Sequence, residues 1–276
     1  MIYIAIILSI FFVVRVKWYV NGKLEESFHP GIWLYMAKHP GISLVFNVNP
    51  IPEEIQLLLA HRYPFYQNLP DYFKCFFNYR LYKLIKSFDF VAVEAPFNAD
   101  LAAKALLLAQ ANRLTLGFKE YKYNAFTTIE IHPDIYYSEM THHWHKGDTS
   151  ANEGVIRLST KHLNEGDRVS DDGVNLAIHE FAHAIMMELF VGNEREGFFD
   201  NYVQYKNCVL QNIDICKNKA LLRSYAYTND QEFFAVISEV FFEEPLLIKE
   251  NVPELYKALC KLYNQQPDKI NPTGLI

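Results

Sequence analysis

The stretch NLAIHEFAHAIM, Asn175 to Met186, sets His179, Glu180 and His183 among apolar residues. Four residues apart, the two histidines fall on one face of a helix, with Glu180 on its shoulder. Histidine and glutamate are seldom fully buried without partners, so an apolar helix must supply them. The pattern is H-E-x-x-H, in which two imidazoles bind zinc and the glutamate activates the attacking water. With 10 histidines in 276 residues, independent placement gives roughly 0.03 such matches per chain, which makes accident a poor explanation. The metal-free alternative is a pair of core histidines bonded to backbone, beside a solvent-facing Glu180. Ser170 to Asp172 are candidate caps for the start of the helix, and Gly192 for its end.

A catalytic zinc needs a third protein ligand and an open position. Met186 and Leu189 occupy the places where the longer HExxHxxGxxH pattern has its Gly and third histidine, and Glu188 lies too far along the same helix. The segment YAYTNDQEFFAVISEVFFEEP, Tyr225 to Pro245, offers a better source. It reads as a helix that is apolar almost all round, broken by one narrow acidic stripe of Glu232, Glu239 and Glu243. A carboxylate on a buried helix requires a cation or hydrogen-bond donors. Glu232, in the first turn, is the candidate third ligand. Glu239, two turns on, either orients a ligand histidine or makes a buried hydrogen bond unrelated to metal. A rival cluster, His142, His143 and His145 in THHWHKG, has no carboxylate or helical spacing behind it and reads as a solvated loop near the cleft.

The rest of the chain frames these segments. Half of the residues are hydrophobic and 21 % are charged, a globular balance. The net charge of -6, with no long basic block, argues against nucleic-acid binding. No Gly-rich phosphate motif appears. Cys75, Cys208, Cys216 and Cys260 form no C-x-x-C pair and read as free thiols in a reducing compartment. Helices are expected over Ile51–Tyr66, from Leu69 to about Phe88, after a cap at Asn98 or Asp100, from Asp172 to Phe190, across Phe198–Lys217, from Asp230 to Glu244 and from Pro253. Strands are expected at Phe126–Pro133 and Glu153–Thr160. Helices, a small sheet, then helices again is an α+β order.

The first 14 residues carry no charge, and Arg15 and Lys17 follow. Residues 1–20 are expected to form a hydrophobic helix that anchors the protein in a membrane by a single pass, with residues 21–49 as a linker and 50–276 as the catalytic domain in the cytoplasm, on the side of the basic residues. A soluble cytoplasmic protein with this segment packed on the domain is the alternative. A signal peptide would want a basic start and a small-residue cleavage site, and neither is visible.

NLAIHEFAHAI, the Tyr225–Pro245 segment and LYKALCKLYNQQP, together with HRYPFYQNLPDYF, GVIRLS and DDGVNLAIHEFAH, resemble blocks of the Mlc titration factor A (MtfA) family of zinc peptidases, over roughly residues 50 to 270. Three positions depart from the family pattern: Ile185-Met186 replaces a Leu-Asp pair, and Thr160 stands where Trp is common. The resemblance implies one zinc per chain, held by His179, His183 and Glu232, with Glu180 as general base. Tyr225 matches a family tyrosine, and its phenol is either a donor to the oxyanion or a core or rim aromatic, one of 18 tyrosines. The resemblance implies a mainly helical, zincin-like (gluzincin-type) metallopeptidase domain similar to the catalytic domain of anthrax lethal factor. Its small sheet would have GVIRLS as the edge strand that aligns a peptide or protein substrate. It also implies aminopeptidase-type activity, although the sequence is compatible with exo- and endopeptidase action alike. Binding of a transcriptional repressor belongs to the family too, which leaves a zinc-stabilised regulatory protein as the second reading.

Overall fold

The computed structural model describes residues 51–93, 100–139, 142–166, 174–193 and 195–269. Prolines set the first boundaries. Pro52 precedes α1 (Glu53–Arg62), and Pro64 opens the short α2 (Pro64–Gln67). The single helix expected from Ile51 to Tyr66 is therefore broken at Tyr63, which is extended because a residue before proline is pushed out of the helical region. Helix α3 (Asp71–Ser87) follows Pro70. Helix α4 (Leu101–Thr115) is capped by Asp100, whose side chain accepts a hydrogen bond from the Ala103 N–H at 2.8 Å.

Strands β1 (Asp89–Ala92), β2 (Thr128–His132), β5 (Gly147–Ser150) and β6 (Val155–Ser159) form one sheet in the order β1-β2-β6-β5. The first two pairings, β1 with β2 and β2 with β6, are parallel, and β5 closes the edge antiparallel to β6. Between β2 and β5 the chain makes a separate hairpin of β3 (Tyr136–Ser138) and β4 (His143–His145). GVIRLS, expected as an edge strand, is thus an interior one, flanked by β2 and β5. Val155, Ile156 and Leu158 are buried there, as a strand inside a layered sheet requires. Arg157 points to the face opposite Ile156 and Leu158. It meets Glu130 on β2 at 2.8 Å, Asp148 on β5 at 3.0 Å and Glu153 at 2.7 Å. One guanidinium therefore pins the register of three strands, and a slip by one residue would turn every side chain of a strand to the wrong face.

The remaining helices are α5 (Thr160–Gly166), α6 (Leu176–Phe190), α7 (Phe198–Asn218), α8 (Asp230–Glu243), α9 (Pro245–Asn251) and α10 (Pro253–Tyr263), with a 3-10 turn at Ser224–Tyr227. Helix α6 packs against α4, α8 and the β5–β6 part of the sheet, and α7 lies along α10. Phe77, Leu108, Phe181, Phe234, Phe241 and Tyr263 bring these helices into one core, each with no measurable exposure. The domain is mainly helical α+β with a small sheet. The four cysteines form no disulfide.

The expected membrane anchor is corrected. Among the described residues no helix is long and apolar enough to cross a membrane. Residues 1–20, on which the N-terminal hydrophobic helix was expected, and the linker at 21–49 lie outside the described residues.

Candidate metal centre and active-site cleft

The site begins with a cap. Asn175 starts α6: its side-chain oxygen accepts from the Ile178 N–H at 3.0 Å. Its own N–H donates to Glu239 Oε2 at 2.7 Å, and its Nδ2 donates to Glu243 Oε1 at 2.8 Å. The acidic stripe of α8 thereby docks the first turn of α6. Asn175 takes the capping role expected at Ser170 to Asp172, which lie outside the described residues.

One turn into α6, His179 Nε2 and His183 Nε2 are 3.1 Å apart. Glu232, in the first turn of α8, places Oε2 3.1 Å from His179 Nε2 and Oε1 3.6 Å from His183 Nε2. Ligand atoms from these three residues lie within 4.8 Å of one another. Zinc ligands at about 2.0–2.1 Å in a tetrahedron lie roughly 3.3 Å apart, and the observed separations bracket that value. Glu232 Oε2 is buried yet makes no aligned hydrogen bond, as expected of atoms aimed at a common centre and not at each other. Electrostatics agree. Burial disfavours a charged His179, but the neighbouring Glu232 and Glu239 carboxylates outweigh this and push the imidazole up to about 10. Burial likewise opposes ionisation of Glu232, while His179 and His183 hold its carboxyl well below the usual range. The pocket is built to hold positive charge, and the donor set fits zinc.

Glu239 stands behind the centre. Its Oε1 is 2.7 Å from His179 Nδ1, and Arg223 grips both carboxylate oxygens at 2.6 and 2.8 Å. Arg223 was not among the residues singled out from sequence. It precedes the Tyr225–Pro245 segment, and only the fold brings it over α8.

A cleft of about 540 Å³ opens on His179, Glu180, Arg223 and Tyr225, with Trp144 and His145 on its rim. Glu180 is 3 % exposed. Burial pushes its carboxyl up against the pull of His179 and His183. Tyr225, half exposed, sits with its ring 6.2 Å from that of His179. Burial and the Glu232 carboxylate push its phenol up to about 12. His142, His143 and His145 belong to the hairpin and join no metal-holding group among the described residues. His145 instead stacks beside Tyr136 at 6.0 Å. Glu188 faces away from the centre: it pairs with Arg195 at 2.8 Å and accepts from the Ala125 N–H.

Comparison with known proteins gives this arrangement its class. The family model for glucose-regulated metallo-peptidase M90 matches residues 42–264. An uncharacterized protein of Synechocystis sp. is 25 % identical over 237 residues, 79 % of this chain and 86 % of its own. Proteins named Mlc titration factor A from Salmonella arizonae and Klebsiella pneumoniae are 31 % identical over 113 residues and 32 % over 120. Those two stretches cover 37 and 40 % of this chain and 45 % of each relative, so the chain matches under half the length of either. Fold, buried histidine–carboxylate cluster and family match together define a metallopeptidase. The chain belongs to the M90 metallo-peptidase family, among relatives of Mlc titration factor A.

Proposed function

We propose that this protein is a zinc-dependent peptidase in which His179, His183 and Glu232 hold one zinc ion, Glu180 is the general base and Tyr225 steadies the oxyanion. The observation that carries the reading is the convergence of two imidazole nitrogens and one carboxylate from two helices, beside a cleft that Glu180 lines. Zinc, when bound, supplies Lewis acidity at this point of the cleft. Glu180 takes a proton from the attacking water and delivers it to the leaving amine. The Tyr225 phenol, protonated at neutral pH, donates to the negative charge that develops on the carbonyl oxygen. The edge strand β5 supports strand-wise binding of a peptide main chain, the role the family resemblance implied for GVIRLS.

Metal analysis with a peptide panel tests this. Wild type should carry one zinc per chain and hydrolyse peptides. Glu232→Ala should fold, lose most of the zinc and lose activity. Full zinc in Glu232→Ala would reject the ligand set.

The relatives' name, a titration factor for Mlc, favours a second reading. In it the zinc centre stabilises a protein that binds a regulatory partner such as a transcriptional repressor, with peptide hydrolysis incidental. A zinc-loaded chain that is silent on the peptide panel would favour it.

A further inference from the structure

Strand β5 has a sequence, Gly-Asp-Thr-Ser, that suits a strand poorly. Its alternate side chains divide between two tasks. Asp148 faces the outer surface of the sheet, where Arg157 holds it at 3.0 Å. Gly147 and Thr149, on the opposite face, meet Glu180. The Thr149 hydroxyl lies 2.8 Å from Glu180 Oε2 and 3.2 Å from the Glu180 backbone oxygen. It has one proton, and the shorter, charge-assisted bond to the carboxylate is the stronger destination. A methyl group on Gly147 would stand 2.7 Å from Glu180 Oε1 and 2.9 Å from its Cγ. Gly147 is not among the glycines of positive φ, so the position demands no unusual backbone. What it provides is the space that the Glu180 side chain fills.

We propose that Thr149 is the positioning residue of Glu180 and that Gly147 is the gap that admits it, so that β5 sets the angle at which the carboxylate enters the cleft. The proposal rests on the general-base reading of Glu180. A free glutamate side chain samples several rotamers, and holding it in one costs conformational entropy. The helix that bears Glu180 fixes its Cα but not its three side-chain torsions. The Thr149 hydroxyl selects one rotamer, and the absent Cβ at 147 leaves that rotamer open. The Glu130–Arg157–Asp148 ladder on the far face keeps β5 in the register that presents residues 147 and 149 to α6.

The test uses zinc-loaded full-length protein. Thr149→Val keeps the branched shape and removes the hydroxyl, whereas Thr149→Ser keeps the hydroxyl. In Thr149→Val, kcat should fall roughly 10- to 100-fold, as for a misplaced reacting group. KM should stay within about twofold, and zinc should remain at one per chain. Thr149→Ser should recover kcat to within about threefold of wild type. In a Glu180→Gln background, Thr149→Val should cause no further loss, because two residues acting as one unit are not additive. Crystal structures give a readout independent of turnover: the Glu180 carboxylate should leave its place in Thr149→Val and be displaced by about 1 Å or more in Gly147→Ala. Wild-type kcat in Thr149→Val, additional loss in the Glu180→Gln background, or an unmoved Glu180 in both variant structures would overturn the proposal. If zinc-loaded wild type hydrolyses no peptide, the peptidase reading fails, and the position of Glu180 in the variant structures still decides the role of β5.

Discussion

His179 Nδ1 lies 2.7 Å from Glu239 Oε1, on a carboxylate with no solvent exposure. With the Nδ1 proton given to Glu239, the lone pair of Nε2 is left to face His183 and Glu232. Glu239 is itself fixed by the Asn175 N–H and by both arms of Arg223. The orientation of the His179 ring thus depends on a network that spans the α6 cap, the approach to the 3-10 turn and the middle of α8.

Glu239→Gln should therefore weaken zinc binding by about 10- to 100-fold without removing a ligand. Competition with a chelator of known affinity measures this. A zinc Kd equal to that of wild type would show that the network is structural only.

Stripping the metal should destabilise the fold, because His179, His183 and Glu232 were brought together at the expense of their hydration. With zinc at about 100 times its Kd, linkage gives about 2.7 kcal/mol, or roughly 5–10 °C of Tm for a domain of this size. Differential scanning with and without a chelator reads it. An unchanged Tm would count against a metal at this cluster.

Glu188 and Arg195 are 1 and 2 % exposed, and each is the other's ion partner at 2.8 Å. Glu188→Ala leaves a buried guanidinium against the Phe118 and Tyr123 rings and should cost about 3–5 kcal/mol in urea unfolding. Zinc content of the folded fraction should not change, since Glu188 faces away from the centre. Loss of zinc from folded protein would place Glu188 in the metal site.

The two site helices were legible because their signals are local. His179 and His183 are one turn apart, and Glu232 and Glu239 share a narrow stripe on a helix that is otherwise apolar almost all round. Asp100, one of the two candidate caps, marked its helix for the same reason. The Pro64 break was equally local, and the apolar pattern running past it concealed it. Strand β5 was not legible: Gly147–Ser150 has no apolar alternation, and its state depends on β6 and on the Arg157–Asp148 bond. GVIRLS was read as an edge although its near-continuous apolar run is that of an interior strand. Arg223 and Thr149 acquire their roles only through contacts 16 and 31 residues away along the chain. The expected capping segment Ser170–Asp172 lost to Asn175 because Glu239 and Glu243, far downstream, hold Asn175 in place.

The central claim is that Glu180 performs the chemistry and leaves the metal to its neighbours. Steady-state hydrolysis by Glu180→Gln, with zinc measured on the same sample, tests it most directly. Glutamine keeps the shape and removes the basicity, so kcat should fall by about 10²–10⁴-fold, while zinc stays at one per chain and Tm changes little. Activity within about threefold of wild type would contradict the general-base role, and loss of zinc from the folded variant would contradict the division of labour between Glu180 and the two histidines.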